Sequence, residues 1–321
     1  MGQTLFRNSF LGSINVLPPP PDYRTLINTA GLPVFFPDVF VYDKDWQTPR
    51  TVAYSVSYER EVMPEVAALV KFNYAKTDHI TRFVNRNDPL FGSPWSAGLA
   101  PGGANGLTTL TTVESTAKSR YQAVTVGLNK RWSRNHEYQV YYTWSKDESD
   151  DDNERDPFSF RYAKATELDR EFSFSDRDQR HRINALALFR LPWDLDLNLR
   201  YAYRSAQPKS ITASGADAAT PQERCNPAPP PGVTTCSPTA TVTRRNLGRK
   251  DNKLSALDLR LSKDFALGSF TLQPIIEVFN ALDAENFVRP QVTSLAFNFD
   301  GTVRSGAGDP RQFQLGLRLL W

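Results

Sequence analysis

The chain has 321 residues, of which 12% are aromatic and 23% charged, and a formal net charge of +3. Its mean hydropathy is −0.47, and no apolar run approaches the roughly 18 residues of a spanning helix, which excludes a helical membrane protein but not a membrane barrel built of alternating strands. Lys and Arg are spread along the chain rather than clustered, so the small positive charge gives no reason to expect nucleic acid.

In chain order, MGQTLFRNSFLGSINVL lacks the basic start, apolar run and small-residue cleavage site of a secretory signal, and MGQTLF lacks the Ser/Thr of a myristoylation motif. TLFRNSFLGSINV (4–16) is a first candidate strand, and LPPPPD (17–22) reads as an extended linker. Period-2 alternation then begins in earnest. TVAYSVSYER (51–60) puts Val52, Tyr54, Val56 and Tyr58 on one face. After EVMPE, the segment 66–75 does the same with Val66, Ala68, Val70, Phe72 and Tyr74. A long segment, 76–120, follows, with PGGANG (101–106) read as a flexible loop because it lacks a phosphate-loop lysine. The segment 122–132 aligns Val124, Val126, Leu128 and Trp132, and after SRNHE the segment 137–145 aligns Tyr138, Val140, Tyr142 and Trp144.

The next segment carries KDESDDDNERD (146–156), which holds seven carboxylates. Asp147, Asp150, Asp151 and Asp152 are weak calcium candidates, since hard oxygen ligands at close spacing bind that ion, but no glycine supplies the sharp turn of an EF-hand loop. The other reading is a solvated acidic loop. Strands resume at 182–191, with Ile183, Ala185, Ala187, Phe189 and Leu191 opposite Arg182, Asn184 and Arg190. After PWD, LDLNLRYAYR (195–204) sets Leu195, Leu197, Leu199, Tyr201 and Tyr203 against Asp196, Asn198, Arg200, Ala202 and Arg204. The long segment 205–253 contains Cys225 and Cys236 around a Pro-rich stretch, an arrangement that points to a disulfide in an oxidising compartment; two unpaired thiols are the other reading. Segments 255–265 and 270–279, joined by ALGS, set Leu257, Leu259 and Leu261, then Leu272, Ile276 and Val278, against polar partners. The chain closes on RQFQLGLRLLW, with Phe313, Leu315, Leu317, Leu319 and Trp321 on one face.

Nine strands are expected, or ten with 4–16, joined alternately by very short links and by long segments. Compact soluble domains seldom hold several structureless loops beyond about 12–15 residues. Tight turns on one edge and long loops on the other are the layout of an antiparallel transmembrane β-barrel, with short periplasmic turns and long extracellular loops. Aromatics fall at two levels of the strands: Tyr58, Trp132, Tyr138 and Trp193 near one end, and Trp144, Tyr201 and Tyr203 near the other. Those are the levels at which rings sit in a membrane–water interface. Polar partners such as Arg182, Arg200, Arg260, Asp258 and Glu277 would then face a lumen. Outer-membrane lipid is the expected solvent of the apolar faces. A soluble β-sandwich with those faces turned inward explains alternation equally well, but not the loop asymmetry.

Three stretches carry a family resemblance. RYQAVTVGLNKRWSRNHEYQVYYTWSKD (120–147), SDRDQRHRINALALFRLPWDLDLNLRYAYRSAQP (175–208), and the run 244–321 through RRNLGRKDNKLSALDLRLSKDF, IIEVFNALDAENF and DPRQFQLGLRLLW are similar in order and spacing to the C-terminal barrel of TonB-dependent receptors of the Oar-like group. The resemblance implies a Gram-negative outer-membrane receptor and transporter barrel, whose complete form has about 22 strands around a plug. It also implies TonB and plug as partners in the full-length protein only, and capture of a ligand by the outer loops. Under this resemblance Phe313, Leu315, Leu317, Leu319 and Trp321 form the signal read by the barrel-insertion machinery. This chain shows no plug, TonB box or signal peptide, so residues 1–321 are expected to be a C-terminal portion of such a barrel, with 1–50 a first strand and a Pro-rich outer loop. No Ser/His/Asp or Cys/His set converges, so no catalysis and no cofactor are expected. The alternatives are a small self-contained outer-membrane barrel acting as a passive pore or a structural protein, and a soluble β-rich binding module.

Overall fold

The computed structural model describes residues 39–86, 110–152, 160–228, 236–237, 239–287, 296–297, 303–305 and 308–321. Its main feature is a single 12-stranded sheet. The strands are β1 (Val39–Tyr42), β2 (Arg50–Met63), β3 (Val66–Asn85), β4 (Leu110–Ser133), β5 (His136–Ser149), β6 (Ser173–Phe174), β7 (His181–Leu191), β8 (Leu195–Arg204), β9 (Leu254–Lys263), β10 (Phe265–Leu267), β11 (Phe270–Phe279) and β12 (Gln312–Leu320). β10 continues β9 past Asp264 in the same register against β11. Counting that pair as one, nine wall strands follow one another as an antiparallel meander, β2 to β12, at the nine places where alternation predicts them. The candidate strand at 4–16, the linker at 17–22 and the loop at 101–106 lie outside the described residues.

The hairpin turns follow from local chemistry. Arg134 and Asn135 both have positive φ (48° and 65°), the backbone a two-residue type I′ turn requires. The Lys130 ammonium donates to the carbonyls of Ser133 (2.8 Å) and His136 (2.9 Å) and so ties this turn together. Glu65 (φ 68°) follows Pro64, and Gly268 (φ 66°) supplies the left-handed residue between β10 and β11. Trp193 and Asp194 (φ 65° and 55°) turn β7 into β8.

Residues directly opposite in a ladder share a face, and the register carries the apolar face from strand to strand without a slip. Ala68, Leu128, Val140, Ala185, Tyr201 and Leu257 form one cross-sheet row. Ala187, Leu199, Leu259, Val278 and Phe313 form the next. A one-residue slip in any ladder would have moved a whole strand's apolar set to the other face. The other face is polar: the Thr125 and Thr143 hydroxyls pair at 2.9 Å, Asp258 lies opposite Arg200, and Arg260 opposite Glu277 at 3.8 Å. The apolar side chains are not covered: Leu317 is 70% exposed, and Val56, Tyr58, Leu315 and Phe313 are exposed too. Unburied apolar rows with a polar row behind them are what a wall facing lipid requires.

Among the described residues the wall is not closed. β2 pairs only with β3, and β12 only with β11, so each leaves one edge of unpaired backbone groups.

The long segments are more ordered than expected. The sequence reading ends a strand at 75 and resumes at 122, but β3 runs on to Asn85 and β4 begins at Leu110. A membrane strand needs about 9–11 residues, so this hairpin stands roughly ten residues (about 33 Å at 3.3 Å per residue) clear of the wall. The exit is marked: the β3–β4 register shifts between Thr77 and Ile80, and His79 has φ 62°. β1 adds to the protruding part of β4 in parallel, from Val39 opposite Leu110 to Tyr42 opposite Val113. Alternation gave no warning because Arg82, Glu114 and Thr111 occupy buried positions there.

Candidate functional site

Two surfaces can meet a ligand: the polar face of the wall and the cap of long segments above it. On the wall, six neighbouring strands (β4, β5, β7, β8, β9 and β11) line one hollow of about 590 Å³, to which Asn129, Gln139, Asn198, Arg200, Asp258, Arg260 and Glu277 contribute. A sheet can bring six strands around one hollow only if that face is concave. The polar face is therefore the inner one.

One expected interface ring is corrected. Trp132 does not continue the outward row of Val124, Val126 and Leu128. A bulge between Lys130 and Ser133 breaks the alternation, and the guanidinium of Arg190, a polar-face residue opposite Asp196, lies 5.8 Å above the Trp132 ring. Tyr58, Tyr138, Trp144, Tyr201 and Tyr203 keep the apolar parity, and Trp193 is 80% exposed at its turn. Leu315, Leu317 and Leu319 lie opposite Ile276, Pro274 and Leu272 on the apolar face, with Phe313 opposite Val278.

The cap is held by charge rather than by grease. Asp178, with 0% exposure, accepts the Asp147 amide (2.9 Å) on one oxygen and Arg249 (2.8 Å) and Arg180 (3.1 Å) on the other. Arg224, 1% exposed, donates from Nη2 to both oxygens of Glu171 at 2.9 and 2.7 Å and from Nη1 to the Thr243 carbonyl. Arg245 donates to the carbonyls of Glu171 and Ser149 and lies 3.3 Å from Asp152. Three cations, Lys146, Arg180 and Arg249, surround the Phe174 ring at 5.8, 4.7 and 5.4 Å. These bonds join the segments 146–181 and 205–253, and Arg82 links the protruding hairpin to Asp150 at 3.6 Å. Among the described residues the apolar support includes two small clusters, Val84–Tyr162–Ala165 and Ala163–Cys225–Cys236–Ala240, and the buried Ile80, Val113 and Ala117 of the hairpin. Cys225 and Cys236 are joined as a disulfide, with Cα atoms 6.0 Å apart.

This network corrects the reading of 146–156 as a solvated loop. Asp150 and Asp151 are buried. The Lys118 amide donates to Asp150 (2.7 Å), while Ser175 and the Asp176 amide donate to Asp152 (2.9 and 2.8 Å). The partners come from residues that no local spacing connects to the acidic run. Of the calcium candidates, Asp147, Asp150 and Asp152 have Arg177, Arg82 and Arg245 beside them, and among the described residues no three His, Cys, Asp or Glu side chains are grouped to hold a metal. Glu154 and Asp156 lie outside the described residues.

Burial sets the ionisation here. It pushes the Asp147 carboxyl up to about 6; Arg177 opposes the rise, and Asp152 and Asp178 add to it. Burial also raises Asp150, against the pull of Arg82 and the Lys118 amide. For Glu148 burial is outweighed by hydrogen bonds from Lys146 and Arg120, and the carboxyl is held low.

Residues 3–314 match the family model described as outer membrane beta barrel domain. No curated protein matches the chain. Among solved structures it is similar to the outer membrane transporter YddB from Escherichia coli (13% identity, TM-score 0.49, covering 88% of this chain and 34% of that one). It is also similar to the FrpB iron transporter from Neisseria meningitidis (12%, TM-score 0.46, 88% and 33%) and to the ferric-catecholate import receptor Fiu from E. coli K12 (13%, TM-score 0.46, 86% and 28%). The chain spans about a third of the length of these transporters.

Proposed function

The chain belongs to the outer membrane beta barrel domain family, and from that premise we propose that its nine wall strands form one arc of a larger ligand-uptake barrel of the TonB-dependent type. The observation that carries this reading is the unbroken apolar face across nine strands with a concave polar face behind it. Lipid covers the first; the second lines a lumen. The cap, knit from segments on one end of the sheet, stands where an external ligand first arrives. Further strands complete the wall at the open edges of β2 and β12, because unpaired backbone groups in lipid cost several kcal/mol apiece. In the complete protein a plug fills the lumen, TonB supplies the energy that moves it, and the terminal aromatic strand is read by the insertion machinery. The similarity of 120–147, 175–208 and 244–321 to the Oar-like barrel supports the type of transporter. The ligand would be held by cap and inner wall without covalent chemistry.

The rival is a small self-contained pore. Planar-bilayer recording from the purified full chain separates them. An arc of a larger barrel is expected to give no stable unitary conductance, and discrete openings of one reproducible size would overturn this reading in favour of the pore.

A further inference from the structure

Of the inner-wall arginines, three are answered by a carboxylate, and Arg318 lies opposite Gln273. Arg190 lies opposite Asp196 and bonds it at 2.9 Å. Arg200 lies opposite Asp258, and Arg260 opposite Glu277. Arg182 on β7 and Arg204 on β8 break the pattern: they lie directly opposite each other on the polar face. Cross-strand neighbours have Cβ atoms about 4.5–5.5 Å apart, and like charges at that spacing repel. Among the described residues neither arginine makes an ion pair or side-chain hydrogen bond, and the Arg182 Nε is buried without a partner.

Their other ladder neighbours offer no anion. Thr143 flanks Arg182 on β5, Leu254 flanks Arg204 on β9, and the next row inward is Asn184, Ala202 and Ala256. The nearest carboxylate in sequence, Asp178, is held by Arg180 and Arg249. The pair occupies the second residue of β7 and the last of β8, at the rim where the wall meets the cap.

We propose that Arg182 and Arg204 form an oxyanion-binding step at the outer mouth of the lumen, taking a carboxylate or phosphate group of a small soluble ligand. Each guanidinium offers a planar fork of N–H donors, and two forks side by side match the two charges and several oxygens of a dianion. An oxyanion between their terminal N–H groups replaces repulsion with two attractions. This proposal rests on the reading of the concave face as a lumen.

The test uses the full chain in non-ionic detergent at low ionic strength, with equilibrium dialysis of succinate and, separately, inorganic pyrophosphate. Saturable binding of at least one is expected, weakening as salt is added. The double variant Arg182→Gln/Arg204→Gln should bind at least tenfold more weakly, while Arg134→Gln, in the β4–β5 turn at the other end of the wall, stays within twofold of the parent. Succinate alone binding assigns a carboxylate, and pyrophosphate alone a phosphate. Absence of saturable binding to the parent, or equal binding by parent and double variant, overturns the site. Should the glutamine pair not fold, Arg182→Lys/Arg204→Lys keeps the charge but loses the forks, and binding undiminished by that change overturns the proposal equally. Arg204→Cys in lipid nanodiscs separates this proposal from the one beneath it. Reaction with a charged aqueous thiol reagent supports the lumen whatever the dialysis shows. Reaction only with a lipid-dissolved maleimide removes the lumen reading itself.

Discussion

The wall and the cap invert each other's chemistry. In the wall, leucines, valines and tyrosines stand unburied while arginines and carboxylates occupy the concave side. In the cap, the best-buried side chains include Arg224, Asp178, Glu171, Lys164 and Asp150. The wall dispenses with an apolar core because lipid takes that role, and its backbone groups are satisfied by the ladders. The cap stands in water on long loops, where few apolar side chains are available, and it is fixed by paired charges and a disulfide. Stability thus has a different origin on either side of the outer rim, and perturbations should divide accordingly.

The largest effect is expected from Glu171→Ala. It leaves the Arg224 guanidinium, 1% exposed, without its carboxylate, a change that typically costs about 3–5 kcal/mol. Amide hydrogen exchange should show 163–175, 224–228 and 239–245 opening together while the β7–β8 ladder keeps its protection. Equal loss in both regions would mean that cap and wall are one cooperative unit.

A smaller effect separates the two by pH. The Asp147 carboxyl is raised above its unfolded value, so the folded cap holds that proton more tightly. Its contribution is present at low pH and is lost as pH rises from about 4 through about 6. Protection of the Ser175 and Asp176 amides, corrected for intrinsic exchange, should fall across that window in the parent and fall less in Asp147→Asn, where only the raised Asp150 still titrates. A flat profile in the parent would contradict the burial argument.

The wall was legible in the sequence because its signal is local. Period-2 alternation, two-residue links and Pro, Asn or Gly at the turns each act within a few residues, and all nine strands follow from them. Even there, Trp132 misled, since a bulge of one residue next to a turn reverses a side chain without altering composition. The cap was illegible because its partners are remote: Glu171 meets Arg224 across 53 residues, and Arg245 meets Ser149 across 96. An acidic run reads as solvated until the arginines that bury it are known to arrive from elsewhere. The unpaired arginines were intermediate, since both could be assigned to the inner face, but their facing each other depends on the β7–β8 register.

The central claim is that the apolar rows look outward to lipid and the polar rows inward. Spin labels at Leu197→Cys, Leu259→Cys and Leu317→Cys, and at Asn198→Cys and Asp258→Cys, in lipid nanodiscs with the native disulfide intact, test it directly. Labels at the three leucine positions should relax with oxygen dissolved in lipid, and those at the two polar positions with an aqueous nickel chelate. The opposite assignment, with the leucine positions shielded from lipid and the polar ones reached from it, would contradict the account.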